Sequence, residues 1–526
     1  MTNLFSCNAV VGSSSAQTPD FPCVADLLAH LDRLGLERAL TWHVGARDFY
    51  TRWGNERLLA EIAATPGASG RVIPSFVVTP TMLIENGAVE WLRATMAEHG
   101  VRALRFSLYR GEWSLDEIEP LLRAVQELSP LLLLDLRENF AKPALVELSA
   151  HFPELPVVLC NAMWPDMVRV FDLMHRRENV RVETSWVHSW GTVALLARTF
   201  GAERVLFGTG PASHAGAAIA GLLEADLPAA DRELIAHGNA ERLLDLPARA
   251  APAVAAGLES RPLWGKMARR ETLGVDFIDA HCHIGPMGMW PMEDGDPAGQ
   301  ARTMLAWMDR LGISLSLISG EEALFCEPVA GNLHLEETLA PYGERFHGYL
   351  GFNPYYRREL EARLDDFFSR PFFVGFKVLG DYWRAPYTDE RYRPAWEYAH
   401  AHRLPILAHT WGGPFNAPAL LREIAPAYPE AVFVLGHSGG SVRSEAEELA
   451  AAHPNVYLEW CGSFTCPDSW VRTVERVGAD HVVFGSDAIA HDIYWELGRL
   501  LSQDLPDERL APILGANMRE ILARRR

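Results

Sequence analysis

The chain has 526 residues, of which 48% are hydrophobic, 22% charged and 10% aromatic. That ordinary globular composition excludes disorder, collagen and coiled coil as descriptions of the whole, and the length suits two to four domains or two closed barrels of about 250 residues each. The 68 acidic and 48 basic side chains give a net charge of −20, so no basic face is expected for nucleic acid or for an anionic membrane.

Met1 to Asp20 carry no cationic start and no long apolar core, so no secretory signal is expected there. No apolar run reaches the roughly 18 residues of a membrane span. Seven irregularly spaced cysteines without a CxxC pair read as reduced thiols in a cytoplasmic protein.

Next along the chain comes a repeat. Asp32-Arg33-Leu34-Gly35 recurs as Asp309-Arg310-Leu311-Gly312, and Asn179-Val180 as Asn455-Val456. Gly201-Ala202 with Val205-Leu206-Phe207-Gly208 recurs as Gly478-Ala479 with Val482-Val483-Phe484-Gly485. Asn239 recurs as Asn517. The offset stays near about 275 residues throughout, which predicts two copies of one plan.

In the first half, apolar runs at Leu104, Leu131 to Leu134, Val157 to Leu159 and Val205 to Phe207 read as strands. Residues 247–275 are rich in Ala and Pro and read as a linker or bridging helix. The second half offers eight strand candidates: Phe277-Ile278, Leu315 to Ile318, Gly348 to Gly351, Val374 to Val378, Pro405 to Ala408, Val432 to Leu435, Val456 to Leu458 and Val482 to Phe484. Helix-like stretches separate them. The fold class expected is therefore α/β, with two tandem TIM-like (β/α)8 barrels at 1–246 and 276–526.

In such a barrel, reactive groups sit at the C-terminal strand ends. The first strand of the second half ends in His281-Cys282-His283, and histidines two apart on a strand face the same way. His409 ends the fifth strand, His437 the sixth, and Asp487 the last, within Gly485-Ser486-Asp487. Neutral imidazoles with one carboxylate suit zinc, iron, manganese or cobalt.

With these motifs and the Asn517-Met518-Arg519 stretch, the second half resembles the amidohydrolase superfamily, in its branch of aminocarboxymuconate semialdehyde decarboxylase and related hydrolases. The resemblance implies a divalent metal on His281, His283, His409 and Asp487. It also implies that His437 orients or polarises substrate, or serves as acid or base, and that Asp487 accepts a proton from metal-bound water. In the first half Asn8-Ala9-Val10 stands for the HxH motif, Leu133 or Leu134 for His409, Asn161 for His437 and Gly210 for Asp487. That set holds no metal, so residues 1–246 read as a degenerate barrel, kept for structure, for pairing or for shaping the other pocket.

Other residues admit two readings. Glu459 is an extra ligand for a second metal or a salt-bridged strand-end glutamate, and Glu183 in its place in the first half favours the second reading. Lys377 is a metal-bridging carbamate, as in some superfamily members, or a structural cation like its counterpart Arg105. His491 and Asp492 reach the pocket or lie on a surface loop. His437 is counted as a possible ligand as well as a catalytic group. Cys282 and Cys461 lie near the mouth without a nucleophilic role, and His400 and His402 are helical. Trp290, Phe352, Tyr382, Trp383, Trp411, Phe415 and Trp460 line a large apolar pocket or pack in the core.

The expected function is metal-dependent hydrolysis or non-oxidative decarboxylation of a small carboxylic or acyl substrate, with one or two zinc, iron or manganese ions in the second barrel. His437 and Asp487 are the expected catalytic residues. The alternative is a non-heme iron or di-iron oxygenase for a bulky apolar substrate, with Glu459 enlarging the site. A non-catalytic metal-binding scaffold is the remaining reading. The partner expected is a small molecule, with a homodimer through the first barrel left open.

Overall fold

The computed structural model describes residues 3–15, 18–107, 113–138, 140–247, 257–288, 295–462 and 470–526. The chain divides into two compact units, one ending at Arg261 and one beginning at Pro262. Trp290 and residues 248–256 of the expected linker lie outside the described residues; inside that linker a short helix spans Pro262–Ala268.

The first unit carries β1 (Phe5–Val11), β2 (Arg38–His43), β3 (Val72–Pro74), β4 (Phe76–Val78), β5 (Ala103–Phe106), β6 (Leu131–Asp135), β7 (Val157–Cys160), β8 (Val180–Glu183) and β9 (Val205–Leu206). β1 to β3 form one parallel sheet and β4 to β9 another. β3 and β4 act as one strand broken at Ser75, whose N–H donates to the Thr41 carbonyl of β2 at 2.8 Å. The ring closes where the Cys7 N–H donates to the Phe207 carbonyl at 2.8 Å.

The second unit carries β10 (Ile278–Ile284), β11 (Leu315–Gly320), β12 (Phe346–Gly351), β13 (Phe373–Val378), β14 (Pro405–His409), β15 (Val432–Gly436), β16 (Val456–Glu459) and β17 (Val482–Val483) in one eight-stranded parallel sheet. Its ring closes through the Ala280 N–H to the Phe484 carbonyl at 3.0 Å and the Asp487 N–H to the His281 carbonyl at 2.7 Å. Two α/β barrels with sequential parallel strands are the architecture the apolar runs predict.

The repeated residues do the same work in both units. Asp32 pairs with Arg71 at 2.7 Å and Asp309 with Arg345 at 2.8 Å. Gly35 and Gly312 end their helices in left-handed conformation, which a side chain would strain. The Asn179 amide donates to the carbonyls of Ser149, Phe152 and Leu155, and Asn455 to those of Ala425, Tyr428 and Ala431. Asn239 ties Ala202 and Val205, and Asn517 ties Ala479 and Val482. These amides satisfy carbonyls of the loops that lead into strands, which would otherwise be buried without partners.

Inside each barrel, alternate residues form the core. In the second unit Ile278, Ala280, Leu315, Leu317, Val432 and Val434 pack together, closed by Met518 and Ile521 of the last helix. The pairing of β10 then shifts between Asp279 and Cys282, and that of β1 between Ser6 and Ala9. Such a shift re-aims the side chains beyond it. Ile278 and Ala280 therefore face the core, and His281 and His283 also come to the inside.

Candidate metal centre

Three donor atoms close a triangle at the C-terminal end of the second barrel. His281 Nε2 and His283 Nε2 are 3.1 Å apart. Asp487 Oδ1 lies 3.3 Å from the first and 3.2 Å from the second. A divalent ion with N and O ligands near 2.1 Å needs ligand-to-ligand edges of about 3.0–3.4 Å, so the triangle fits one.

Each imidazole is held from its far side, through Nδ1. His283 Nδ1 meets Glu321 Oε1 at 2.6 Å, His409 Nδ1 meets Asp381 Oδ1 at 2.9 Å, and His491 Nδ1 meets Glu496 Oε1 at 2.9 Å. His281 Nδ1 meets Glu459 Oε2 at 3.3 Å, and His437 Nδ1 meets the Cys461 carbonyl at 3.3 Å. An oxygen acceptor at Nδ1 selects the tautomer whose Nε2 lone pair is free to bind a metal. Glu321, Asp381 and Glu496, which hold three of these rings, are not among the site residues expected from the sequence. Glu321 follows the last residue of β11 directly, and its place at a strand end was the available signal.

Burial and the Lys377 ammonium hold His281 well below the usual histidine range, so it stays neutral. Burial also disfavours ionised Asp487, but His281, His283 and His437 outweigh it and hold the acid well below the carboxylate range. Burial and Lys377 push His283 down, yet Glu321 and Asp487 more than offset them and raise it. Lys377 itself is fully buried at the end of β13, with Nζ 2.5 Å from His281 Nε2. An ammonium there competes with a metal for the same imidazole.

Among the described residues a second group, His281, His437, Glu459 and Cys461, also brings possible ligand atoms together. Glu459 is already engaged. Its carboxyl accepts the backbone N–H of His437 at 2.8 Å and of Cys461 at 2.7 Å. Glu183 accepts those of Asn161 and Ser185, both at 2.7 Å, in the first unit. Burial pushes the Glu459 carboxyl up to about 8.

His409 lies beside rather than inside the triangle. Its ring centroid is 4.7 Å from that of His437, and Trp411 stacks on it at 6.4 Å and 7°. Tyr382 is exposed and packs against His409 at 5.4 Å. Phe352, Trp383 and Trp460 are buried, as core packing requires. His491 is buried, whereas the next residue, Asp492, caps a helix through the Tyr494 N–H at 2.9 Å.

In the first unit the same positions close on themselves. Arg105 donates to Asn8 at 3.2 Å and to Asp135 at 3.1 Å. Asn161 donates to Asp135 at 2.6 Å, and Asn8 donates to Asn161 at 2.8 Å. Strand register places Arg105 beside Leu133 and Lys377 beside Leu407. His409 therefore corresponds to Asp135, not to Leu133 or Leu134. The offset of about 275 residues misplaces it by one or two, because the spacing between the two copies is not constant from strand to strand.

A family model described as amidohydrolase matches residues 25–246 and again 278–524. The chain belongs to the amidohydrolase family. No curated protein matches it. Solved structures similar to this amidohydrolase include an uncharacterized TIM-barrel protein from Bordetella bronchiseptica, at 17% identity over 48% of this chain and 99% of that one, with a TM-score of 0.40. A dihydroxybenzoic acid decarboxylase from Polaromonas with bound manganese is 18% identical over 47% of this chain and 97% of its own, at 0.37. A probable 2-pyrone-4,6-dicarboxylic acid hydrolase from Acinetobacter baumannii is 16% identical over 46% and 100%, at 0.36. Among the described residues of this amidohydrolase, no helix is long and apolar enough to cross a membrane.

Proposed function

We propose that residues 276–526 form a metal-dependent hydrolase or non-oxidative decarboxylase for a small carboxylic or acyl substrate. Residues 1–246 are its catalytically silent copy, and 247–275 join the two. The observation that carries this reading is the triangle of His281, His283 and Asp487, with edges of 3.1, 3.3 and 3.2 Å. The family is the amidohydrolase family, and the donor set suits zinc, iron or manganese, one ion or two.

His281, His283 and Asp487 are the primary ligands, and His409, presented by Asp381, adds to them. When bound, the ion supplies a Lewis acid and a source of hydroxide near neutral pH. Asp487, held ionised, takes a proton at its carboxylate. His437, neutral and fixed at Nδ1 by the Cys461 carbonyl, meets substrate with Nε2 and polarises a carbonyl or handles the proton of the leaving group. Lys377 attracts a substrate carboxylate, which the −20 net charge does not. The thiols of Cys7, Cys160, Cys282 and Cys461 are free and buried, which suits a reducing compartment.

Elemental analysis of the purified protein beside His281→Ala tests the reading. The wild type is expected to carry divalent metal that the variant lacks, and to turn over substrate without dioxygen. Equal metal in both proteins would sink the proposal.

A further inference from the structure

Asp487 has two oxygens, and the triangle uses one. Oδ1 faces His281 and His283, while Oδ2 faces His491 Nε2 at 3.8 Å. Behind His491 runs a buried chain. Its Nδ1 meets Glu496 Oε1 at 2.9 Å, and the other Glu496 oxygen accepts from Arg499 at 2.7 and 3.1 Å. Arg499 also donates to the Trp460 carbonyl at 2.8 Å and stacks on the Trp460 ring at 4.3 Å. Glu496 and Arg499 are almost wholly out of solvent.

The other copy of the barrel supplies a control within the same chain. Set in register on Val205–Gly208 and Val482–Gly485, His491 falls on His214, Asp487 on Gly210, Glu496 on Ile219 and Arg499 on Leu222. Ile219 and Leu222 are buried. The fold is therefore satisfied by two aliphatic side chains where the second unit buries an ion pair. Burying such a pair is costly, and apolar replacement is often neutral or stabilising. The pair is present where the acid Asp487 is present, and absent where it is absent.

The second carboxylate of this kind behaves the same way. Gly54 packs on Ala46 and Gly331 on Ala323, closely enough that an added Cβ would lie 2.1 and 2.3 Å from their backbone nitrogens. That register sets Glu321, the partner of His283, on Val44, and Val44 packs with Trp42, Ala46, Val77 and Val10 in an apolar cluster. Glu321 and Glu496 are lost together with the metal donors. Glu459, which holds backbone N–H groups, keeps its counterpart Glu183.

We propose that His491, locked by Glu496 and Arg499, is a positioning residue of the metal centre: it engages the outer oxygen of Asp487 and so presents Oδ1 to His281 and His283. This rests on the metal reading above. His491 Nε2 and Asp487 Oδ2, 3.8 Å apart, are too far for a direct bond and suit one bridging water.

The test is zinc affinity, measured by chelator competition on metal-stripped full-length protein, with apo melting recorded alongside. Outer ligands of this kind are typically worth about 10–100-fold in metal affinity. His491→Ala and Glu496→Gln are each expected to weaken zinc binding by that factor, and His491→Gln to recover part of it. A purely structural role would lower apo melting and leave zinc affinity alone. If His491→Ala does not fold, His491→Gln and Glu496→Gln are judged by the same criterion. Wild-type zinc affinity in the folded variants would overturn the inference while leaving the metal reading intact. No zinc uptake by the wild type above the His281→Ala level would overturn both.

Discussion

Glu459 accepts the backbone N–H of His437 at 2.8 Å, and so sets that histidine from behind rather than from its ring. The same oxygen lies 3.3 Å from His281 Nδ1, and the other accepts the Cys461 N–H at 2.7 Å. One buried carboxyl thereby joins the ends of β10, β15 and β16. Leaving buried N–H groups without an acceptor costs about 1–3 kcal/mol each. Glu459→Ala is therefore expected to destabilise the second barrel by roughly 2–5 kcal/mol. Glu459→Gln, which keeps one acceptor, should cost less and retain its metal. Denaturant midpoints and elemental analysis check this, and loss of metal from a folded Glu459→Gln would make Glu459 a ligand. Glu183→Gln should show the same loss of stability.

His437 and Asp487 adopt φ of 62° and 57°, and their first-unit counterparts Asn161 and Gly210 adopt 56° and 60°. The barrel thus imposes left-handed backbone at both strand ends. Glycine takes it freely, and asparagine, aspartate and histidine are the side chains most often found there. His437→Asn is expected to match or exceed wild-type stability, by up to about 1 kcal/mol. Turnover should fall by about 100-fold or more, the usual worth of an acid–base group. Melting and steady-state rates read the two effects separately, and an active His437→Asn enzyme would remove His437 from the chemistry.

Much of this was legible in the sequence because the relevant signals are local. Apolar runs mark parallel strands buried on both faces, and reactive residues mark their ends. The repeat was legible because Asn179, Asn455, Asn239 and Asn517 satisfy loop carbonyls that every copy of the barrel must satisfy. What was not legible depends on contacts between distant elements. Asp381 and Glu496 look like ordinary acids of a loop and a helix until folding brings them to His409 and His491. The counterpart of His409 was misplaced because offset in sequence is not register in a sheet. The shifts in β1 and β10 have no sequence signature of their own.

The first unit fills its centre with a guanidinium. Arg105 and Asp135 are both buried and lie 3.1 Å apart, and Asn8 accepts a second guanidinium N–H. Arg105→Met would leave the Asp135 carboxylate buried without its main counter-charge. Removing one partner of a buried pair typically costs about 3–5 kcal/mol. Arg105→Met is expected to lower the stability of the first unit by roughly that amount, without changing the metal content of the protein. Arg105→Lys should recover only part, because a lysine cannot reach two acceptors with a planar fork. A stable Arg105→Met protein would show that the network is dispensable.

His30 packs its ring 4.7 Å from Phe21, on the helix Val24–Leu34 of the first unit. Burial, aided by the Arg33 guanidinium, lowers its pKa to about 3. The unfolded chain takes up this proton near pH 6.5, the folded chain only near 3. Between those values the unfolded state binds more protons, so stability rises with pH and is lost as pH falls. Fully titrated, one such group costs about 1.4 kcal/mol for each pH unit below 6.5. Other carboxylates share the acid limb, so the difference between wild type and His30→Leu isolates this one. Urea midpoints from pH 8 to pH 4 are expected to run parallel above pH 7 and to diverge below it, with the variant falling less. Parallel curves throughout would mean that His30 is protonated in the folded protein and that the Phe21 contact does not exclude water.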